Sequence, residues 1–112
     1  MLSMALPKDV GLQMVAGDAY SHIFDYVDED GNPIDLTGET ITHKFYAGRD
    51  LILTLEAGSG LTITAATGRI QMDLIDTETE QLDGLRDRKH VLRLDTSDTT
   101  LAVGVVEVYN NV

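Results

Sequence analysis

Three histidines recur along the chain, each followed two residues later by a large apolar side chain. His22, His43 and His90 all have a Phe or Leu at that position. Residues two apart on a β-strand share a face, so the spacing predicts three imidazoles on buried strand faces. Three converging histidines can hold zinc. The alternative is that each histidine lies near an end of the fold or hydrogen-bonds to a neighbour.

A second group of polar side chains lies in one acidic stretch. Asp28, Asp30, Asn32 and Asp35 are closely spaced oxygen donors, which calcium prefers. However, the glycine of this stretch, Gly31, is its fourth residue, whereas an EF-hand loop has glycine at the sixth position. An ordinary acidic turn is therefore the alternative to a calcium site.

Motifs for catalysis are absent from the sequence. It has no Gly-x-Ser-x-Gly elbow, phosphate-binding loop or His-Glu-x-x-His pattern, and no cysteine for thiol, disulfide or iron–sulfur chemistry. Glu78 and Glu80 form a carboxylate pair, but capping and solvation of a short helix explain it. We therefore expect no enzyme, no catalytic residue and no cofactor.

Composition limits the class of protein and its partners. The chain has 112 residues, is 43% hydrophobic and carries a net charge of −11. One folded domain is expected at this length. The charge repels phosphate backbones and anionic headgroups, so we expect neither nucleic acid nor membrane as a partner. No apolar run approaches the ~20 residues of a membrane span, and no signal peptide is recognisable, so we expect synthesis in a cytoplasm.

Alternation of apolar and polar residues predicts short strands separated by turns, with one helix at Asp76–Leu82 begun by a capping box of Thr77 and Glu80. The predicted strands are Gly11–Ala16, Ala19–Asp28, Thr40–Tyr46, Leu51–Glu56, Leu61–Thr64, Arg69–Ile75, Lys89–Asp95 and Leu101–Tyr109. Seven to eight such strands favour an all-β antiparallel sandwich, with a closed barrel as the alternative. Residues 1–9 are predicted to form an N-terminal arm and residues 10–112 a single domain.

Several segments, in order, resemble a known group of proteins. The stretch Asp28–Gly38 matches a D-x-x-G-x-P-x-D-L-T-G signature, and Gly17–Val27 precedes it. The segments that follow in the expected order are Gly60–Thr64, Gly68–Ile70, Asp76–Leu82 and Gly104–Val108. In this pattern the chain resembles small Ig-like β-sandwich proteins and domains of tailed phages and prophages, such as the N-terminal domain of the phage baseplate upper protein. One departure is the charged stretch 84–90, where the group often has Gly-x-Tyr.

The resemblance spans Leu12–Val108 and implies a function. It implies a non-enzymatic structural component of a virion, in the tail, baseplate or neck, with other virion proteins as partners. The alternatives are a domain decorating the capsid surface and, outside virions, a sugar-binding or adhesion module. A sugar site usually needs an exposed aromatic platform. The sequence has no tryptophan, and four of its six aromatic residues (Tyr20, Phe24, Tyr26 and Phe45) are predicted to face inward, so only Tyr46 and Tyr109 remain.

The sequence also predicts which residues turn the chain and which side chains are buried. Gly31, Pro33, Asp35 and Gly38 are predicted to turn the chain between strands. We expect Phe24, Tyr26, Ile41 and Phe45 to be buried, and Ser21 and Asp25 to face solvent.

Two segments are candidates for contacts between copies of the chain. The last strand is apolar on both faces, which indicates a strand that is central or covered by a partner. Together with the apolar N-terminal residues, it predicts a homo-oligomer or ordered array.

Overall fold

The computed structural model describes residues 8–110. Within this range the chain forms nine β-strands, one α-helix and a short 3-10 turn at Ala65–Thr67. The strands are β1 (Lys8–Asp9), β2 (Leu12–Val15), β3 (Tyr20–Asp25), β4 (Ile41–Ala47), β5 (Asp50–Ala57), β6 (Gly60–Thr64), β7 (Arg69–Leu74), β8 (Arg88–Leu94) and β9 (Thr99–Tyr109), and the helix is α1 (Asp76–Leu82).

The strands form an Ig-like sandwich of two layers. Neighbours follow the order β1-β9-β8-β4-β5-β6-β7-β3, with β2 also paired to β9. The layers are joined where β5 and β6 pair over only two residues. Phe24 of β3 lies with its ring centroid 5.5 Å from that of His43 on β4, so the layer of β3 and β7 faces the layer of β4 and β8. The predicted all-β sandwich is confirmed, and within residues 8–110 the order has two open ends, unlike a closed barrel.

Burial follows the predicted alternation. Phe24, Ile41 and Phe45 are buried as expected. Ser21 and Asp25 are exposed, whereas Tyr26 is half-buried because it lies beyond the end of β3. The core also contains leucines and isoleucines from both layers, among them Leu12, Leu55, Leu61, Ile70, Leu74 and Leu92.

The helix has the predicted bounds, but its predicted capping box is wrong. The N-cap is Ile75, and the carboxylate of Glu78 accepts a hydrogen bond from the Ile75 N–H at 2.9 Å. Because β7 ends at Leu74, Ile75 is the single residue between this strand and the helix. The N-cap therefore lies two residues before the predicted cap at Thr77. The helix has seven residues, and no helix within residues 8–110 is long and apolar enough to cross a membrane.

The last strand lies inside the sheet. β8 pairs with β9 on one side, while β1 and β2 pair with it in parallel on the other. Its apolar pattern therefore marks a central strand, which is one of the two predicted alternatives. The predicted arm of residues 1–9 includes Lys8 and Asp9, which belong to β1, and residues 1–7 lie outside the described range.

Candidate functional site: a buried histidine pair

His43 and His90 come together in the core. Both are fully buried, and they lie on the adjacent antiparallel strands β4 and β8. His90 is opposite Phe45 in the register, and His43 is opposite Leu92, so the two imidazoles are diagonal neighbours on the inner face. The predicted inward orientation of both side chains is confirmed.

The hydrogen bonds of the pair determine the position of every ring proton. Nε2 of His90 is 2.6 Å from the carbonyl oxygen of Val10, which can only accept, so Nε2 of His90 carries the hydrogen. In a neutral ring, Nδ1 of His90 is then an acceptor, and it lies 2.9 Å from Nε2 of His43. Nε2 of His43 therefore donates. Among the described residues, the remaining Nδ1 of His43 has no hydrogen-bond partner.

Neutral rings are also what burial favours. The pKa of His43 is lowered to about 3, first by burial and then by the nearby His90 and His22. Burial likewise lowers the pKa of His90, although its bond to the Val10 carbonyl opposes the shift. A proton on either ring would leave a cation in an apolar core, which is strongly unfavourable.

The Val10 carbonyl reaches His90 because of a glycine in β9. Lys8 pairs with Ala102 and Leu12 with Val106, so β1 and β2 follow β9 in one register and are interrupted only at residues 10–11. A Cβ atom on Gly104 would lie 2.0 Å from the Val10 oxygen. Only glycine therefore allows the chain at Val10 to approach β9 with its carbonyl turned inward.

Aromatic rings surround the pair. The Phe45 ring centroid is 4.7 Å from that of His43, and the Phe24 centroid is 6.1 Å from that of His90. These contacts keep both imidazoles in fixed orientations and away from solvent. The pair therefore joins β4, β8 and the segment at Val10 through hydrogen bonds.

His22 does not join the pair. It is half-buried and packs on Phe24, with ring centroids 4.6 Å apart. Both ring nitrogens of His90 are occupied by other protein groups, so the three histidines do not present three free ligands. In the described part of the chain, no group of three or more His, Cys, Asp or Glu side chains is arranged to hold a metal ion. The predicted three-histidine arrangement is thus reduced to a pair.

Two of the four candidate calcium ligands, Asp28 and Asp35, accept backbone hydrogen bonds within the turn. Oδ1 of Asp28 accepts the backbone N–H groups of Asp30 and Asn32, each at 2.9 Å. Oδ1 of Asp35 accepts hydrogen bonds from the hydroxyl and, at 2.9 Å, from the backbone N–H of Thr37, and these two bonds lower the pKa of Asp35, the hydroxyl first. The predicted part of Asp35 in turning the chain is confirmed.

The glycines of this stretch support the same interpretation. Gly31 and Gly38 both adopt the left-handed region, at φ values of 83° and 84°. The stretch therefore forms a turn followed by a corner.

Two residues of the site are missing from the sequence-based prediction. Val10 contributes only its backbone carbonyl, and because every residue has one, the residue type does not indicate this role. Gly104 did leave a signal, because a glycine inside an apolar strand often marks the close approach of another backbone.

A cavity of about 240 Å³ adjoins the pair at the open side of the sandwich. It lies between β1 and β9 of one layer and β3 of the other, and both His22 and Val10 line it. Its wall is mainly apolar and is formed by Phe24, Ile70, Leu92, Leu101 and Ala102, with Lys8 also at the wall.

Comparisons with known proteins add little to this geometry. No protein-family model matches the chain, and no curated protein matches it. Among solved structures, the chain is similar to extracellular domains 3–5 of Drosophila OTK, at 13% identity and a TM-score of 0.35. That match covers 92% of this chain and 33% of the other, so the chain corresponds to about a third of that protein's length.

Proposed function

We propose that this chain is a non-enzymatic structural component of a tailed-phage virion, acting in the tail, baseplate or neck through contacts with other proteins. The observation that carries the proposal is the conformation of Asp28–Gly38, the segment on which the resemblance to phage Ig-like domains rests. Its carboxylates accept backbone N–H groups, at Asp28 and at Asp35. The segment thus serves architecture rather than ligand chemistry.

The chemistry of the core supports the same function. The reactive-looking pair, His43 and His90, is buried, neutral and bonded to itself and to Val10. A buried neutral pair of this kind stabilises a fold, whereas a general base must reach its substrate within hydrogen-bond distance. Function is therefore assigned to surfaces.

Surface properties fit a protein that joins an assembly. The net charge of −11 favours solubility before assembly. Large apolar side chains remain exposed at separate places, including Leu51 on β5 and Val105 and Tyr109 on β9. Such side chains are candidates for contact with neighbouring virion proteins, including further copies of this chain.

The test is to locate the protein in particles. Particles are purified from cells that express the chain after prophage induction, and an antibody against the chain is applied for electron microscopy. Labelling of the tail, baseplate or neck, at a constant number per particle, is the expected result. Labelling of the capsid surface would support the decoration alternative instead.

A second measurement covers the class outside virions. The purified chain is applied to a glycan array and examined by light scattering and negative stain. Rings or defined oligomers without glycan binding agree with the proposal. Specific glycan binding, together with absence of the protein from purified particles, would overturn it.

A further inference from the structure

Apolar and basic side chains together cover the outer face of the layer formed by β4, β5, β8 and β9. They alternate along each strand with the buried residues of the core, so they point to solvent. One row of them crosses all four strands, because the registers place opposite residues side by side. This basic face consists of Leu51, Tyr46, Lys89 and Val105 in that row and of Lys44 and Val91 in the next.

The apolar members of the basic face are only partly covered. Val105 is 63% exposed and Leu51 is 51% exposed, at opposite ends of the same row. Tyr46 and Val91 are half-buried. An apolar patch on a sheet face that is rimmed by polar side chains is typical of a site of contact with another protein.

The charge of this face is opposite to that of the chain as a whole. The chain carries −11, yet the charged residues of the basic face are Lys44 and Lys89. They are diagonal neighbours on β4 and β8, about 7–8 Å apart. Within residues 8–110 neither lysine forms an ion pair. The carboxylate of Glu107, at the margin of the face, is engaged by the Tyr109 hydroxyl at 2.7 Å.

Charge complementarity identifies the surface that a partner must present. Two basic faces in contact would bring lysine against lysine, and like charges that meet in an interface are unfavourable. The basic face therefore fits a surface with two neighbouring carboxylates and an apolar side chain beside them.

Helix α1 of this chain has such a surface. Asp76 and Glu80 are exposed and four residues apart, so they lie on one side of the helix with Cβ atoms about 5–6 Å apart. Ile75, which precedes them, is 58% exposed. The helix contains no lysine or arginine, and in the described part of the chain neither carboxylate forms an ion pair. Its length of about 10 Å fits across four strands whose outer members lie about 15 Å apart.

We propose that α1 of one copy docks on the basic face of a second copy. The carboxylates of Asp76 and Glu80 pair with the amino groups of the two lysines, and Ile75 covers the apolar side chains beside them. Because the contact joins two different surfaces, a bound pair still has one basic face and one helix free, and further copies extend it into a ring or a filament.

The net charge of the chain does not prevent this contact. Two copies of −11 repel each other, but at physiological salt exposed charges more than about 8 Å apart are largely screened, and charges in contact are screened less. The inference rests on the proposed function for its setting in an assembly, and it deepens that function by naming the surface and its partner.

The first test measures the mass of the purified full chain by light scattering, at concentrations up to about 1 mM because small interfaces are weak. The loss variant combines Lys44→Gln and Lys89→Gln. The matched control combines Thr62→Glu and Thr64→Glu, at two exposed positions on β6 in the other layer. Each pair of substitutions changes the net charge by −2, from −11 to −13.

The weight-average mass of the wild type and of the control should rise to about twice the monomer mass of 12.2 kDa or more, and the loss variant should remain monomeric. Circular dichroism and urea denaturation establish that all three proteins are folded. A wild type that is monomeric at every concentration would overturn the proposal. Equal association of the loss variant would overturn it as well, because the contact would then use another surface.

A charge swap identifies the partner surface. One variant combines Lys44→Glu and Lys89→Glu, and the other combines Asp76→Lys and Glu80→Lys. Each variant alone brings like charges together and should remain monomeric. In an equimolar mixture, the face of each variant meets a helix of opposite charge, so the mixture should associate as the wild type does. Association of either variant alone, or none in the mixture, contradicts docking of α1 on the basic face.

Labelling of lysine amino groups in purified particles and in the free chain separates this inference from the proposed function. If the wild type is monomeric in solution but Lys44 and Lys89 are protected in particles, the basic face binds a different virion protein. That result overturns docking of a second copy and leaves the proposed function intact. Self-association of the purified chain together with its absence from particles has the reverse meaning.

Discussion

The Nε2 hydrogen of His43 is directed at Nδ1 of His90, 2.9 Å away, and this bond joins two imidazoles in the core without any charge. His90 in turn donates to the Val10 carbonyl at 2.6 Å. The chain of donors therefore runs in one direction, from β4 through β8 to the backbone between β1 and β2. The only group of the pair without a partner among the described residues is Nδ1 of His43.

Because the hydrogen bonds run in one direction, replacing His90 should cost more stability than replacing His43. His90→Leu would leave both the Val10 carbonyl and the Nε2 hydrogen of His43 without partners, at about 1–3 kcal/mol for each buried group. His43→Leu would leave only Nδ1 of His90 unpaired and would remove the unpaired Nδ1 of His43. We expect the free energy of unfolding, measured in urea, to fall distinctly more in H90L than in H43L.

The double variant completes this comparison. In H43L/H90L only the Val10 carbonyl loses its partner, so the loss should be smaller than the sum of the two single losses. Equal losses in H43L and H90L, or strict additivity in the double variant, would contradict the assignment of the ring protons.

Stability should depend on pH through the same pair. The pKa of His43 is about 3 in the folded chain against 6.5 for an unperturbed histidine, so between these values the unfolded chain binds more protons. Stability is therefore complete above pH 6.5 and decreases as the pH falls. At pH 5 the loss from His43 is about 2 kcal/mol, and His90 adds to it because burial lowers its pKa as well.

The pH window separates histidines from carboxylates. The pKa of Asp25 is lowered by its hydrogen bond to Arg69 and that of Asp35 by its bonds to Thr37, so their contributions are lost only near and below the usual value of 3.8. Urea denaturation at pH 7.0, 6.0 and 5.0 should show a decreasing midpoint for the wild type. H43L should show a shallower decrease, and an identical slope in both proteins would exclude His43 as the source.

Phe24 should be the most costly aromatic residue to remove from β3. Its ring contacts His22, His43 and His90, and its side chain is only 9% exposed. Phe24→Ala is expected to lower the free energy of unfolding by about 3–5 kcal/mol. The control Leu51→Ala removes a side chain that is 51% exposed and should change it by less than about 0.5 kcal/mol. A thermal midpoint of F24A equal to that of the wild type would remove Phe24 from the core.

Metal ions should not stabilise the folded chain. Both ring nitrogens of His90 are engaged, and Asp28 and Asp35 accept backbone N–H groups. An ion at a hundredfold excess over its dissociation constant would add about 2.7 kcal/mol, equivalent to several degrees in the thermal midpoint. We expect zinc, calcium and EDTA each to leave the midpoint unchanged. A rise with zinc that is lost in His43→Ala would restore the metal interpretation.

Alternation in the sequence was sufficient to predict the face on which each histidine lies, because side chains on a strand alternate regardless of its partners. It could not predict which histidines meet, since this depends on the register between β4 and β8, which only the folded sheet defines. The bounds of α1 were predictable from local signals, but its cap at Ile75 depended on where β7 ends. The partner of His90 is a backbone atom, so no side-chain pattern could indicate Val10.

Of the residues behind the bond between His90 and Val10, only Gly104 could be recognised in the sequence. Its substitution is the most direct test of the site. Gly104→Ala would place a methyl group 2.0 Å from the Val10 oxygen, so the segment at Val10 must move and the bond to His90 must lengthen or break. We expect the free energy of unfolding to fall by about 1–3 kcal/mol because of the displaced backbone, and further because a buried carbonyl is left unpaired.

The matched control is Gly11→Ala, where the nearest atom, the Val105 oxygen, lies at 3.9 Å and the backbone does not have a positive φ. That substitution should be neutral or slightly stabilising, by less than about 1 kcal/mol. If G104A and G11A unfold at the same denaturant concentration, the close approach of Val10 to β9 does not hold His90 in place.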